Sequence, residues 1–183
     1  MKDILFYPLV LAMAAAIVAF ALLQGGERTR LSTTSIAQSG YGLSGAALVD
    51  LTASPGTELA VTENGASALA VESRRDAVPS AGVFLTLPPA AEAAFAGTPI
   101  TVTWRLRRQT GFGAVELAYF TLGEGDSGWQ SFEIDEAFQD VTLRFTPGTS
   151  DGTGFDYAGL WPAVGEPDGV PVLIDSVRVE RAE

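Results

Sequence analysis

The chain has 183 residues, of which 47% are hydrophobic, and its 22 acidic and 11 basic residues give a formal net charge of −11. Because it contains no cysteine and no histidine, disulfides, thiol nucleophiles, histidine–zinc sites and Ser-His-Asp catalysis are excluded. Its one lysine is Lys2, which excludes lysine chemistry from the rest of the chain, and a surface this acidic repels nucleic acid.

The first predicted element is a membrane-spanning helix over Ile4–Leu23, a run of twenty residues without a charge. At about 1.5 Å of rise per residue, such a helix crosses a hydrocarbon core about 30 Å thick. A cleaved signal peptide is the alternative, since Ala19-Phe20-Ala21 matches a small-x-small cleavage pattern. The apolar run nevertheless reaches Leu23 without a polar region. We therefore expect residues 1–23 to form an uncleaved anchor whose residues 4–23 lie in the lipid bilayer.

The flanks of this helix suggest its orientation and its neighbours. A polar tail of two residues is easily left in the cytoplasm, whereas a long domain is translocated whatever its charge. We expect a single-pass protein of the cell inner membrane with its C-terminal domain on the periplasmic side. Ala12 with Ala16, and Ala15 with Ala19, form small-xxx-small pairs that allow a partner transmembrane helix to approach. Alanine-rich filler facing lipid is the alternative interpretation.

A connector and one domain follow the anchor in this prediction. Residues 24–45 are rich in glycine, serine and threonine and poor in large apolar residues. This composition is typical of a flexible, hydrated connector. The predicted domain therefore comprises residues 46–183.

The domain shows short runs of period two that are separated by turn residues, a pattern typical of antiparallel strands. Asn64-Gly65 is the clearest hairpin signal, and Pro89–Phe95 is the one helical turn. Many short strands at this spacing predict an all-β sandwich or barrel. The predicted strands are Ala46–Leu51, Leu59–Thr62, Ala68–Ser73, Gly82–Leu87, Ile100–Arg108, Ala114–Thr121, Gln130–Asp135, Val141–Thr146, Tyr157–Trp161 and Val172–Glu180.

Alternation within the central strands sorts their residues into two faces. One set is apolar and predicts a common core: Ile100, Val102, Trp104, Leu106, Val115, Leu117, Tyr119, Val141, Leu143 and Phe145. Trp129 is also in phase with apolar neighbours and is expected in the core. The opposite set predicts a wide polar face that carries Arg105, Arg107, Glu116 and Arg144.

Four segments of the domain together resemble galactose-binding-domain-like jelly rolls, a group that includes many carbohydrate-binding modules. They are Trp129-Gln130-Ser131-Phe132, Val141–Pro147, Tyr157–Pro162 and the closing strand Val172–Val179 with its Ile-Asp-x-Val sequence. The resemblance covers residues 46–183 and implies an antiparallel β-sandwich of the jelly-roll type.

The resemblance also implies where ligands bind. In many such modules an aspartate of the last strand helps to hold a structural calcium, and Asp175 is the matching position. The alternative for Asp175 is a strand-edge carboxylate that accepts backbone hydrogen bonds.

Sugar sites in the family lie on the concave face or in loops at one rim. The concave candidates here are Arg105, Arg107, Glu116, Phe120 and Arg144, because arginine forks and aromatic rings suit sugar hydroxyls and sugar faces. Tyr157 and Trp161 lie beside turn-rich segments and are the rim candidates. The alternative for the concave set is a solvated face with cross-strand Arg–Glu pairs.

The sequence therefore predicts a membrane-anchored, extracytoplasmic, non-catalytic module that binds a glycan or another envelope component. The alternative is an accessory subunit of a membrane complex, whose helix packs on partner helices while the sandwich caps them. Catalysis by two carboxylates is the remaining enzymatic possibility. No carboxylate pair stands out by its position, so no catalytic residue and no cofactor other than the calcium are expected.

Overall fold

The computed structural model of the protein describes residues 32–63, 65–77, 80–121, 125–149 and 155–182. The predicted anchor Ile4–Leu23 lies outside these ranges. Within them, no helix is long and apolar enough to span a membrane. The described elements are the helices α1 (Thr33–Ser39) and α2 (Pro89–Phe95), a 3-10 helix (Gly45–Asp50), and the strands β1 (Tyr41–Ser44), β2 (Thr52–Ala53), β3 (Thr57–Thr62), β4 (Gly65–Ala70), β5 (Val83–Thr86), β6 (Ile100–Arg108), β7 (Gly113–Thr121), β8 (Gly125–Asp126), β9 (Gln130–Ile134), β10 (Gln139–Phe145), β11 (Tyr157–Trp161) and β12 (Val172–Arg181).

The first sheet is antiparallel and has six strands in the order β10-β6-β12-β4-β3, with β1 also paired to β12. Its centre is the pairing of β6 with β10 on one side and β12 on the other, so that Trp104 lies opposite both Val141 and Val177. The register of β12 against β6 shifts between Ile174 and Ser176. This irregularity places Asp175 in a β-bulge.

The second sheet is built around β7, which pairs antiparallel with β11, β9 and β8. A parallel bridge between Gly82 and Leu160 brings the β2–β5 pair alongside β11. The two sheets face each other through their apolar sides, since buried residues of both belong to one hydrophobic cluster. The predicted all-β antiparallel sandwich is confirmed.

The core follows the alternation that the sequence predicts. Ile100, Val102, Trp104 and Leu106 of β6 are fully buried, and they face Val115, Leu117 and Tyr119 of β7 across the sandwich. Removing this apolar surface from water stabilises the fold by about 25 cal/mol per Å². The helix Pro89–Phe95 and the hairpin of β3 with β4 also form as predicted.

The N-terminal boundary of the domain differs from the prediction. Residues 32–45 were assigned to the flexible connector, but α1 buries Ile36 in the core and β1 pairs with β12. The glycines in this segment let its backbone pack closely against β12 and do not make it flexible. A Cβ on Gly40 or Gly42 would lie 2.8 or 2.3 Å from a backbone oxygen of β12. The domain therefore begins near Ser32, whose side chain caps α1.

A second difference concerns the predicted strand Ala46–Leu51, which is the 3-10 helix Gly45–Asp50. Only Leu48 of this turn is fully buried, and Val49 beside it is exposed. The run of apolar residues here therefore does not form a strand. In the tight turn of a 3-10 helix, Leu48 points into the core and Val49 points to solvent.

Candidate functional site

The predicted concave face does not exist as one surface, because its residues belong to opposite sides of the sandwich. Arg105, Arg107 and Arg144 lie on the outer face of the first sheet, on β6 and β10. Glu116 and Phe120 lie on β7, on the outer face of the second sheet. Alternation identifies the faces of a strand, but it does not say which sheet the strand joins.

The outer face of the first sheet is a hydrated array of charges. The Arg105 guanidinium lies 3.1 Å from a carboxylate oxygen of Asp140 and 3.5 Å from one of Asp175, and all three side chains are about half exposed. Arg107 donates to backbone carbonyls and lies over the Phe138 ring, 5.2 Å from its centroid. Arg144 is exposed beside its cross-strand neighbour Thr101.

This arrangement does not fit the calcium that the resemblance implies at Asp175. The carboxylate faces a guanidinium rather than a set of oxygen ligands, whereas calcium requires six to eight oxygens. Over the described ranges, no group of three acidic, histidine or cysteine side chains is placed to hold a metal ion. We therefore assign no role to a metal at this position.

The outer face of the second sheet carries a continuous row of aromatic rings. Phe84 and Tyr157 meet edge-on with their centroids 5.1 Å apart, and Tyr157 is the cross-strand neighbour of Phe120. Phe120 meets Trp129 at 5.5 Å, and Trp129 meets Trp161 at 6.3 Å. We call these five residues the aromatic row. All except Trp161 are half-buried.

Gly159 allows the row to stay continuous. It lies on β11 between the two aromatic positions of that strand, where a Cβ would come within 2.6 Å of the Ala81 carbonyl oxygen. The same Cβ would lie 3.1 Å from the Phe120 ring and 3.5 Å from the Trp129 ring. Any side chain here would push the rings apart, so glycine is required for packing rather than for its dihedral angles.

An arginine–glutamate pair closes one end of the row. The Arg74 Nε donates to one carboxylate oxygen of Glu116, and its Nη2 donates to the other at 3.1 Å. The guanidinium also lies over the Trp129 ring, 5.4 Å from its centroid. Ser131, the cross-strand neighbour of Glu116, adds an exposed hydroxyl to this face.

Sequence reasoning missed Arg74 and assigned Trp129 to the core. Trp104 is a core residue as predicted, but Trp129 is half-buried on the outer face. Arg74 comes from a segment of no regular structure between β4 and β5. No periodic signal in the sequence connects it with β7.

Trp161 is fully buried and does not lie at an exposed rim, contrary to the prediction. A Cβ on Gly56 would touch its ring at 2.9 Å, and Ala77 and Ala163 share its cluster. Its indole N–H has no hydrogen-bond acceptor within the described part of the chain. In this conformation the ring supports the edge of Trp129 and does not face solvent.

Three buried polar side chains, those of Tyr119, Asp156 and Glu92, lie behind the aromatic row, on the core side of the second sheet. The Tyr119 hydroxyl donates to Asp156 at 2.8 Å, and the Asp156 backbone N–H donates to Glu92 at 2.8 Å. Burial raises the pKa of Asp156, the Tyr119 hydrogen bond opposes this, and Glu92 adds to it. Burial also raises the pKa of Tyr119 far above its usual range. These groups join β7 to the segment before β11 inside the core.

Comparison with known proteins supports the fold. No protein-family model and no curated protein match the chain. Among solved structures, the CBM22-1 xylan-binding domain of Paenibacillus barcinonensis Xyn10C aligns over 78% of this chain and 94% of its own, with 11% identity and a TM-score of 0.54. The CBM22-1–CBM22-2 tandem of the same protein aligns over 78% and 44%, with 10% identity and a TM-score of 0.53. The predicted carbohydrate-binding-module type of sandwich is confirmed, and at this identity the likeness concerns the fold alone.

Proposed function

We propose that the chain is a non-catalytic glycan-binding module and that the aromatic row is its binding surface. The observation that carries this proposal is the row itself, in which four partly exposed rings lie side by side on one face of the sandwich. Isolated exposed aromatics are ordinary on protein surfaces. A contiguous set with polar groups at its end is typical of a ligand surface.

The chemistry of this face suits a polysaccharide. Sugar rings present C–H faces that pack on aromatic rings, and their hydroxyls both donate and accept hydrogen bonds. Phe120, Trp129 and Tyr157 supply the apolar platform. The exposed Ser131 hydroxyl, beside Glu116, can donate to or accept from a sugar hydroxyl. In the part of the chain that the structure describes, the first-sheet face lacks such a row, since the ring beside its arginines is that of Phe138, under Arg107.

The fold adds support, because a structural neighbour is described as a xylan-binding domain. We therefore take β-linked xylo-oligosaccharides and soluble xylan as the first ligands to test. The choice of sugar rests on this likeness, and the choice of surface rests on the geometry of the chain itself.

Calorimetric titration of the purified full-length chain tests the proposal. We expect binding of xylo-oligosaccharides by the unsubstituted chain and at least tenfold weaker binding by Trp129→Ala, since central aromatic contacts are worth about 2 kcal/mol or more. Arg105→Ala, on the opposite face, is the matched control and should bind as the unsubstituted chain does. Equal binding by Trp129→Ala, or no binding to any β-glycan, would contradict the proposal.

We further propose that residues 4–23 hold the module on the periplasmic side of a membrane. Support comes from the length of the uncharged run alone. In cells expressing the full chain, the protein should stay with membranes through an alkaline carbonate wash and be digested by protease in spheroplasts. Recovery of the uncleaved chain in the soluble fraction would refute the anchor.

A further inference from the structure

The Trp129 ring is already occupied on one face. The Arg74 guanidinium lies over it, 5.4 Å from the centroid. A cation over an indole is attracted by the ring quadrupole, with a strength that rises as the pair loses water. A sugar ring and this guanidinium cannot occupy the same face of Trp129 at once.

Glu116 holds Arg74 in that position. Its side chain is only 10% exposed, and it accepts from two nitrogens of the guanidinium, which itself is 31% exposed. A carboxylate buried this far requires a cation or hydrogen-bond donors, because an unpaired buried charge is costly. Arg74 therefore satisfies Glu116 and covers Trp129 through one side-chain conformation.

The backbone near Arg74 is fixed, so that release needs a change in its side chain and not in the fold. Val71 and Glu72 each donate a backbone N–H to the Gly56 carbonyl, and Ala77 donates to the Ser73 carbonyl. The first two bonds hold the start of this segment against Gly56, and the third closes the turn from Ser73 to Ala77 that carries Arg74. Arginine side chains have many rotamers, and partly exposed ones exchange between them quickly.

We propose that Arg74 is a built-in competitor of the glycan, held over Trp129 by Glu116 and displaced when a sugar stacks on that ring. The inference rests on the proposed function and concerns the regulation of the same site. In the free module, Arg74 thus covers the ring of Trp129, and displacing Arg74 costs part of the free energy of glycan binding. Removing Arg74 tightens binding.

Two measurements on the full-length chain test the proposal. The variant is the double substitution Arg74→Ala with Glu116→Gln, which avoids leaving a buried carboxylate without its cation. Arg75→Ala is the matched control, because Arg75 is the exposed arginine next in sequence. The ligand is a xylo-oligosaccharide, and the expected result is a dissociation constant about three- to tenfold lower for the double variant and unchanged for the control.

The second measurement needs no ligand. Of the three tryptophans, Trp104 and Trp161 are fully buried, so that acrylamide quenching of fluorescence reports mainly on Trp129. We expect the quenching constant to rise in the double variant and to stay unchanged in Arg75→Ala. Equal quenching in all three chains would overturn the proposal.

Glycan binding by the double variant tests the competitor role of Arg74 separately from glycan binding by the aromatic row. Weaker or equal glycan binding by the double variant would overturn the competitor role while leaving the proposed function standing, because Arg74 would then contribute to binding or be irrelevant to it. No binding by any of the chains would overturn the proposed function, and the competitor role would fall with it.

Discussion

The two outer faces of the sandwich arise from the same alternation of residues and have opposite characters. On the first sheet, Arg105 and Asp140 pair with 45% and 58% of their side-chain surface exposed. On the second sheet, Arg74 and Glu116 pair with 31% and 10% exposed, beside a row of aromatic rings. An arginine–carboxylate pair thus lies in water on the first sheet and is largely buried on the second.

The difference comes from what covers each face. The segment that follows β4 folds over the second sheet and buries Trp161 against Ala77. Partial burial weakens the competition of water for the polar groups beneath, so their interactions are stronger and their positions better defined. The first-sheet charges remain in water, where ion pairs contribute little.

The largest difference in stability between the two faces should come from removing the ring of Trp161, which lies buried on the second sheet. Trp161→Ala should lower the free energy of unfolding by about 3–5 kcal/mol, because a fully buried tryptophan is replaced by a cavity. Thr103→Ala, in the middle of the first-sheet face, should change it by less than about 0.5 kcal/mol. Urea unfolding of both variants measures these values. Similar losses in the two variants would contradict the assigned burial.

A smaller effect is expected from the two ion pairs. Glu116→Ala should destabilise the chain by about 1–3 kcal/mol, since it leaves a partly buried guanidinium without its carboxylate. Asp140→Ala removes an exposed partner of Arg105 and should cost at most about 0.5 kcal/mol. The denaturant midpoints of the two variants, measured at the same salt concentration, compare the two losses of stability. A larger loss for Asp140→Ala would reverse the ranking of the faces.

The smallest effect is a pH dependence that comes from Asp156, behind the second sheet. The pKa of Asp156 is raised in the folded chain, so the folded state holds this proton more tightly than the unfolded state does. Its contribution to stability is complete below its ordinary pKa of 3.8 and is lost as pH rises through the folded value.

Asp156→Asn should therefore flatten the pH dependence of the unfolding free energy just above that ordinary value. Urea titrations between about pH 4 and 7 provide the test. Parallel profiles for the unsubstituted chain and Asp156→Asn would contradict the raised pKa of Asp156, because they would mean that folding does not change the proton affinity of this carboxyl.

Much of the fold is predictable from local pattern. The long strands β6, β7 and β12 lie within a residue of their predicted bounds, and so does the five-residue β11. The pattern fails where packing rather than periodicity defines the element. β2 and β8 have two residues each, and β1 depends on glycines whose role becomes visible only against β12.

The site is less predictable, because it depends on sheet membership and on a loop. Alternation correctly places Glu116 and Phe120 opposite a core face, but it does not separate them from the arginines of the other sheet. Tyr157 is half-buried on the same outer face as Phe120, and this neighbourhood follows only from the pairing of β11 with β7. Arg74 reaches Glu116 across 42 positions of sequence. Such a contact is set by tertiary packing alone.

The central claim is that a glycan binds the aromatic row and not the opposite face. Backbone amide chemical-shift mapping of the full-length chain in detergent micelles, during titration with a xylo-oligosaccharide, tests it most directly. We predict that the shifts cluster on the second sheet, at Glu116, Phe120, Trp129 and Tyr157, while Arg105, Arg107 and Arg144 stay unchanged. Shifts centred on those three arginines, or none at saturating sugar, would contradict the account.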